Sequence, residues 1–192
     1  MKNLLTNGWL VTDLGDKLTG SEEAYAVTTT TSKIGACARS VLILQKANEN
    51  EGDELVRYGQ DIRLKMNQFL SSKDLYLASQ PKTPSVFARF SRQQEVSLSV
   101  KKNFNTVWRI QPTSGAREDR RGEPVYANDA VIFEHVGTNQ YLSNDRIPYR
   151  NDFGNEMEVS ACNITTHGKT QLLVGEVTGH LVRENTHKTV LH

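Results

Sequence analysis

The fold is decided by an ordered set of three motifs: Tyr58-Gly-Gln-Asp61, then Leu75-Tyr76-Leu77-Ala78-Ser79, then Phe90-Ser-Arg-Gln-Gln-Glu95-Val96-Ser97. The set returns about 65 residues later as Tyr126-Ala-Asn-Asp129, Tyr141-Leu142-Ser143 and Phe153-Gly-Asn-Glu-Met-Glu158-Val159-Ser160. A single unit of a repeat fold cannot bury its apolar face alone, so stacked copies share one core. These motifs are therefore expected to be mostly architecture, with function carried by what that architecture displays.

An earlier, incomplete copy precedes these two. Ser40-Val41-Leu42-Ile43-Leu44-Gln45 matches Thr106-Val107-Trp108-Arg109-Ile110-Gln111, and Gly8-Trp9-Leu10-Val11-Thr12 falls where Leu75–Ser79 sits in the next unit. The strand that carries Tyr-x-x-Asp has no counterpart, so we expect the first unit to lack its opening strand. The domain is expected to span residues 1–177, and residues 178–192 form a polar C-terminal tail that is a possible substitute for that strand.

The periodicity is that of strands. Val96-Ser-Leu98-Ser-Val100 alternates apolar and polar residues, whereas Val131-Ile132-Phe133 and Leu172-Leu173-Val174 read as fully buried strands. Three units of roughly four strands separated by turn residues predict an all-β protein with a β-trefoil fold, and the alternative is an open sandwich of irregular strands. Trp9, Trp108, Tyr76 and Tyr141 are expected to be core wedges rather than stacking platforms.

The bulk composition excludes several functions. The formal net charge is +1, from 23 basic and 22 acidic residues, so no global field favours nucleic acid or an anionic membrane. No uninterrupted apolar run is longer than four residues, as in Val41–Leu44, and the N-terminus has no apolar segment of signal-peptide length. These features predict a soluble intracellular protein, in which Cys37 and Cys162 are expected to be reduced, buried thiols rather than a disulfide.

No motif predicts catalysis, a cofactor or a metal site. His180, His187 and His192 lie in a polar tail without ligands at zinc-like spacing, so a solvated tail is the expectation. Asp61 and Asp129 occupy equivalent positions in different units and are expected to fix a turn or strand end. Asn163-Ile164-Thr165 matches a glycosylation acceptor, but that role needs a secretory route which the sequence does not indicate.

The most highly charged loop is Arg117-Glu118-Asp119-Arg120-Arg121. It is either an exposed, self-compensating loop that contributes little to stability, or a contact to an acidic partner, since the forked donors of arginine suit carboxylates. Local positive charge also occurs at Arg89, Arg92, Lys101 and Lys102. The candidate partner contacts are therefore Arg117, Arg120, Arg121, Arg89, Arg92, Lys101 and Lys102.

The Tyr-Gly-x-Asp-Ile-x-Leu and Tyr-Leu-x-Ser patterns are similar to the MIR-type repeat of β-trefoils. A longer set of segments resembles the cilia- and flagella-associated protein one-sixty-one family: Leu55–Asp61, Leu75–Ser79, Gln94–Val96, Pro124–Asn128 and His135–Leu142. The resemblance covers most of residues 4 to 175, and it does not extend to the segment Thr178–Arg183.

The resemblance implies a structural microtubule inner protein in the lumen of the A-tubule of axonemal doublets, in the cytoskeleton of the cilium or flagellum. The implied partners are α- and β-tubulin and other microtubule inner proteins. From the charge balance we expect no nucleic acid or membrane partner, and from the motifs no cofactor. The alternative is a carbohydrate- or ligand-binding trefoil, because a fold alone does not select a function. An enzyme has no motif in its support.

Overall fold

The computed structural model describes residues 1–18, 23–31, 33–48, 55–113, 119–163, 169–174 and 189–191. Within these ranges the regular structure is thirteen β-strands and two 3₁₀-helices, Ala38–Ser40 and Phe104–Thr106. The strands are β1 (Lys2–Asn3), β2 (Leu10–Lys17), β3 (Ala24–Thr29), β4 (Leu42–Lys46), β5 (Asp61–Met66), β6 (Tyr76–Ser79), β7 (Gln94–Ser99), β8 (Trp108–Pro112), β9 (Ala130–His135), β10 (Gln140–Asn151), β11 (Gly154–Cys162), β12 (Leu172–Leu173) and β13 (Thr189–Leu191). The protein is all-β, as predicted. No helix in the described ranges has the length and apolarity needed to cross a bilayer.

All thirteen strands belong to one sheet, in which neighbouring strands are antiparallel. The main path is β1-β12-β9-β10-β11-β3-β7-β6-β5-β4-β13, with β2 paired to β3 and β8 paired to β5 and β9. The last strand of one unit pairs with the first strand of the next. This pairing runs from Leu42↔Met66 to Lys46↔Ile62 for β4 and β5, and from Trp108↔His135 to Pro112↔Val131 for β8 and β9.

Three hairpins, β2–β3, β6–β7 and β10–β11, have matching registers. The corresponding pairs are Leu10↔Thr29, Leu77↔Leu98 and Leu142↔Ala161. The second strands of the hairpins also pair with one another, through Ala26↔Ser97, Glu95↔Ser160 and Glu158↔Thr28. Ala26, Glu95 and Glu158 therefore occupy equivalent positions, at the place where the three hairpins meet.

The core is formed by the inward-facing apolar side chains of the strands. Trp108 is completely buried, and its indole Nε1–H donates to the carbonyl oxygen of Leu77 at 2.9 Å, which satisfies the one polar atom of the ring. Tyr76 is also buried. Both are core wedges as predicted, whereas Trp9 and Tyr141 are only partly buried.

The Tyr-x-x-Asp motif does not lie on a strand. β5 begins at Asp61 and β9 at Ala130, so the tyrosines Tyr58 and Tyr126 lie in the turns before these strands. In the strand register, Lys65 lies opposite Tyr76 and Glu134 lies opposite Tyr141. Because Tyr76 and Tyr141 are equivalent, Lys65 is equivalent to Glu134, and counting back four residues aligns Asp61 with Ala130 rather than with Asp129. The prediction that the two aspartates are equivalent is therefore wrong by one residue.

The first unit was expected to lack an opening strand, and this expectation needs correction. Strand β1 pairs with β12 (Lys2↔Leu173, Asn3↔Leu172), which is the same relationship that β5 has to β4. Strand β13, from the tail, pairs along the other side of β4 through Thr189↔Leu44, Val190↔Ile43 and Leu191↔Leu42. Two short strands therefore occupy the position that one continuous strand fills in each of the other units. Of these two, β1 pairs only with β12, and β13 pairs only with β4.

The cysteines differ in burial. Cys162 is buried, as predicted, at the end of β11, whereas Cys37 is exposed, so the prediction of two buried thiols is wrong for Cys37.

Candidate protein-interaction site

Arg120 and Arg121 are held against the chain that precedes β5. Arg120 Nε donates to Glu123 Oε2 at 2.8 Å, and its guanidinium carbon lies 4.5 Å from the centre of the Tyr58 ring. A Cβ added at Gly59, whose φ is +81°, would lie 2.9 Å from Arg121 Cγ, so only glycine allows this close approach. The geometry favours the self-compensating interpretation of this loop. Arg117 lies outside the described residues.

Tyr58 anchors the same contact from within the core. Its backbone N–H donates to Glu123 O, and its hydroxyl donates to Asp129 Oδ2 at 2.8 Å. Burial, followed by the hydrogen bond to Asp129, raises the pKa of Tyr58 to about 12, so the phenol stays protonated and remains a donor. Asp129 also accepts from the backbone N–H of Tyr126 at 2.9 Å and fixes a turn, as predicted.

Asp61 has a different role from Asp129. Its carboxylate accepts two hydrogen bonds from the Arg109 guanidinium, at 2.8 and 3.2 Å, across the β5–β8 pair. This bidentate contact fixes a strand end, as predicted. Both aspartates are therefore architectural.

Arg89 lies on the segment between β6 and β7 and contacts Asp16 of strand β2. The guanidinium contacts the Asp16 carboxylate at 3.3 and 3.4 Å and lies 5.2 Å from the centre of the Tyr149 ring. The Tyr149 hydroxyl donates to the same carboxylate at 2.5 Å, and burial together with this bond raises its pKa. Asp16 therefore neutralises Arg89 in part.

Glu158 holds the turn that follows Arg89. Its two carboxylate oxygens accept from the backbone N–H groups of Phe90 and Ser91, at 2.8 and 2.7 Å. Two backbone donors on one buried carboxylate are a strong, charge-assisted arrangement. The second Glu-Val-Ser motif thus fixes the Phe90 turn of the preceding unit.

Glu95 is the equivalent residue of that unit, yet its carboxylate is not held in this way. Among the described residues, no hydrogen bond or ion pair to its side chain is found. Burial raises its pKa to about 7, an effect that Arg89 opposes and the charge of Glu158 increases. Glu95 is therefore a partly buried acid whose charge is compensated only in part, by Arg89.

Two cavities adjoin Glu95, and we call them together the Glu95 groove. The first, of about 200 Å³, is lined by Val27, Phe87, Arg89, Arg92, Val96 and Val159, among others. The second, of about 170 Å³, is lined by Ser79, Gln80, Ser97, Ser99, Lys101 and Asn105, among others. Glu95 lines both cavities. The guanidinium carbon of Arg92 lies 4.4 Å from the centre of the Phe87 ring at the edge of the first.

The structure thus brings together three of the seven predicted contact residues, Arg89, Arg92 and Lys101, around one carboxylate. Lys102 is exposed beside Lys101 but does not line the groove. Glu95 was not among the predicted contact residues, because the repeated Glu-Val-Ser motif was expected to be architectural. The strand register, rather than the sequence, shows that unit one has Ala26 where the other two units have glutamate.

The groove does not resemble a metal centre. No cluster of three or more His, Cys, Asp or Glu side chains within the described ranges is arranged to hold a metal ion. Burial lowers the pKa of His135, the one described histidine, whose ring nitrogens contact Thr138 Oγ1 at 2.8 Å and Asn105 O at 3.0 Å. His180, His187 and His192 lie outside the described residues.

Two solved structures superpose on most of this chain. The SDF2-like protein from Arabidopsis thaliana superposes with a TM-score of 0.72 at 18% identity, over 90% of this chain and 88% of that one. A Caenorhabditis elegans protein of unknown function gives a TM-score of 0.69 at 22% identity, over 91% of this chain and 90% of that one. At these identities the likeness shows the fold alone.

Sequence relatives define the family. Residues 17–171 match the model of the cilia- and flagella-associated protein 161-like domain, and the chain belongs to this family. It is 32% identical over 130 residues to cilia- and flagella-associated protein 161 of Danio rerio, and 33% identical over 132 residues to that of Bos taurus. These matches cover 65% and 68% of this chain, but only 42% and 41% of the relatives' length.

Proposed function

We propose that this chain is a structural binding module of cilia and flagella, and that it works as a microtubule inner protein. In this proposal it lies in the lumen of the A-tubule of axonemal doublets, contacts α- and β-tubulin and other microtubule inner proteins, and stabilises the lattice. The observation that carries the proposal is the family match across residues 17–171.

We also propose that the three units form a β-trefoil of MIR-like repeats. Its support is the recurrence of two kinds of pairing: closing strand with next opening strand, and hairpin with hairpin around Ala26, Glu95 and Glu158. A closed arrangement of this kind offers a rigid body with loops at both ends, which suits repeated docking along a filament.

The proposed mechanism is surface complementarity without catalysis or a cofactor. Arginine and aromatic side chains commonly anchor protein interfaces. Arg89, Arg92, Phe87 and Phe90 lie together on the segment between β6 and β7, and Phe90 is half-exposed. This segment is fixed by Glu158, so its contacts would be made without much ordering of the chain.

Extraction of axonemes tests this proposal. The tagged full-length protein, expressed in ciliated cells, is expected to stay with salt-washed axonemes and to be released only when the doublets are disrupted. A tagged outer-surface axonemal protein, which salt removes, serves as the control. Absence from cilia, or complete release by mild salt, contradicts the proposal. Specific binding on a glycan array would favour the carbohydrate-binding alternative instead.

A further inference from the structure

Glu95 and Glu158 occupy equivalent positions but have unequal surroundings. Glu158 is held by two backbone N–H groups, whereas the Glu95 carboxylate has no such donor within the described residues and opens onto two cavities. A partly desolvated carboxylate is unfavourable unless a cation or several donors compensate it. Arg89, the cation whose charge opposes the raised pKa of Glu95, also contacts the Asp16 carboxylate.

We infer that the Glu95 groove receives a lysine side chain of a neighbouring axonemal protein, whose ammonium pairs with the Glu95 carboxylate. This inference rests on the proposed function and adds to it the site of one contact and the chemistry of its occupant.

The lining of the groove suits a lysine. Val27, Val96 and Val159, from the three equivalent strands, and the ring of Phe87 line the first cavity, where they offer apolar contact to a methylene stem. Ser97 and Ser99 line the second cavity and supply hydroxyl oxygens beside Glu95. An ammonium group has three rotatable donors, so one carboxylate and nearby hydroxyls can satisfy it.

The rim of the groove adds a charge pattern. Arg89 and Arg92 line one cavity and Lys101 lines the other, so cations flank the central carboxylate on both sides. The favoured occupant is therefore a lysine with acidic neighbours in its own chain. Like-charge contacts at the rim would reject a uniformly basic segment.

The substitution Glu95→Gln separates this role from a structural one. It keeps the shape of the side chain and removes a desolvated charge, so it is expected to preserve or increase the stability of the folded protein. A residue that only holds the fold together would behave in the opposite way. Glu123→Gln is the matched control, because Glu123 is exposed and pairs with Arg120 on a different loop.

The test compares full-length wild type, E95Q and E123Q in ciliated cells. Axonemes are treated with a carbodiimide, which joins a carboxylate to an amine in direct contact, and the cross-linked peptides are mapped. Salt extraction of each variant is measured in parallel, and thermal unfolding is measured on the purified proteins.

We expect a cross-link between Glu95 and a lysine of another axonemal protein, its loss in E95Q, and a several-fold larger fraction of E95Q released at a given salt concentration. E123Q is expected to match wild type. An axonemal wild-type protein without a cross-link at Glu95, or E95Q retained as well as wild type, overturns the inference and leaves the proposed function intact. A wild-type protein absent from axonemes overturns both.

Discussion

The hydroxyl of Tyr58 donates a 2.8 Å hydrogen bond to the carboxylate of Asp129, which joins the Tyr-x-x-Asp motif of one unit to that of the next. The two tyrosines of the repeated motif differ sharply: Tyr58 is 1% exposed and Tyr126 is 65% exposed. The two tyrosines of the repeated motif therefore have different roles, because only the ring of Tyr58 is covered by Arg120.

Tyr58→Phe is expected to lower the free energy of unfolding by about 1–2 kcal/mol, since it removes a hydrogen bond to a charged acceptor and leaves the ring in place. Denaturant unfolding followed by fluorescence measures this loss. Tyr126→Phe is the matched control and is expected to change stability by less than about 0.5 kcal/mol. Equal effects of the two substitutions would show that the Asp129 contact has no special importance.

Arg39→Ala is expected to destabilise the fold by about 3 kcal/mol, because it leaves the carboxylate of Glu156 buried without its cation. The Arg39 Nη2 to Glu156 Oε1 distance is 2.5 Å, and the Glu156 side chain is fully buried. Glu156 also accepts from Thr28 and Asn151, so it joins β3 to the β10–β11 hairpin.

The control for Arg39 is Lys73→Ala, which breaks the pair of Lys73 and Glu23, in which both side chains are about half exposed. Such an exposed pair is expected to contribute little to the free energy of unfolding. The free energies of unfolding of Arg39→Ala and Lys73→Ala are to be measured by urea unfolding at pH 7. If Arg39→Ala lowers the free energy of unfolding no more than Lys73→Ala does, the buried Arg39–Glu156 ion pair does not stabilise the fold as proposed.

Glu95→Gln is expected to stabilise the protein at pH 8 and to have little effect at pH 4. The pKa of Glu95 is about 7 in the folded state against 4.5 in the reference state, so the folded protein binds the proton more tightly. Stability is therefore lost as the pH rises from 4.5 to 7, and the loss is complete above pH 7. The gain at pH 8 is expected to be roughly 1–2 kcal/mol after allowance for solvent screening.

The measurement for Glu95 is the difference in unfolding free energy between E95Q and wild type at intervals from pH 4 to pH 8. A gain for E95Q that is constant with pH would mean that packing, rather than the charge, is responsible.

His135 is expected to give the opposite pH dependence. Burial lowers its pKa below the reference value of 6.5, so the unfolded chain takes up a proton before the folded protein does. The stability that depends on neutral His135 is present above pH 6.5 and decreases as the pH falls through 6.5 towards the folded pKa.

The advantage of wild type over His135→Gln should accordingly be largest at pH 8 and shrink on acidification. The tautomer is a second check. Asn105 O can only accept, so Nε2 carries the proton and Nδ1 accepts from Thr138. Nitrogen NMR that showed a proton on Nδ1 at pH 8 would contradict this arrangement.

The sequence predicted the strands well where side chains alternate or are uniformly apolar, as in Val96–Val100 and Val131–Phe133. It misplaced the Tyr-x-x-Asp motif, because a pattern of period two does not reveal where a turn ends and a ladder begins. It also missed β1, which is only two residues long and is defined by its pairing with β12 rather than by its own residues.

The site was harder to predict than the fold. Arg89, Arg92 and Lys101 were identified as cations, but the sequence does not show that Asp16, 73 residues before Arg89, neutralises one of them. Nor does it show that Glu95 lies between them. Equivalent residues Glu95 and Glu158 differ because their partners come from other units, and such contacts depend on tertiary structure alone.

The most direct test of the central claim is a cryo-EM map of native doublet microtubules from cells that express this protein, compared with a map from cells that lack it. If the protein is a microtubule inner protein, the map should show an all-β density inside the A-tubule that fits β1 to β13, contacts tubulin, and disappears in the deletion. An unchanged lumen in the deletion, or this density only on the outer surface, would contradict the proposed function.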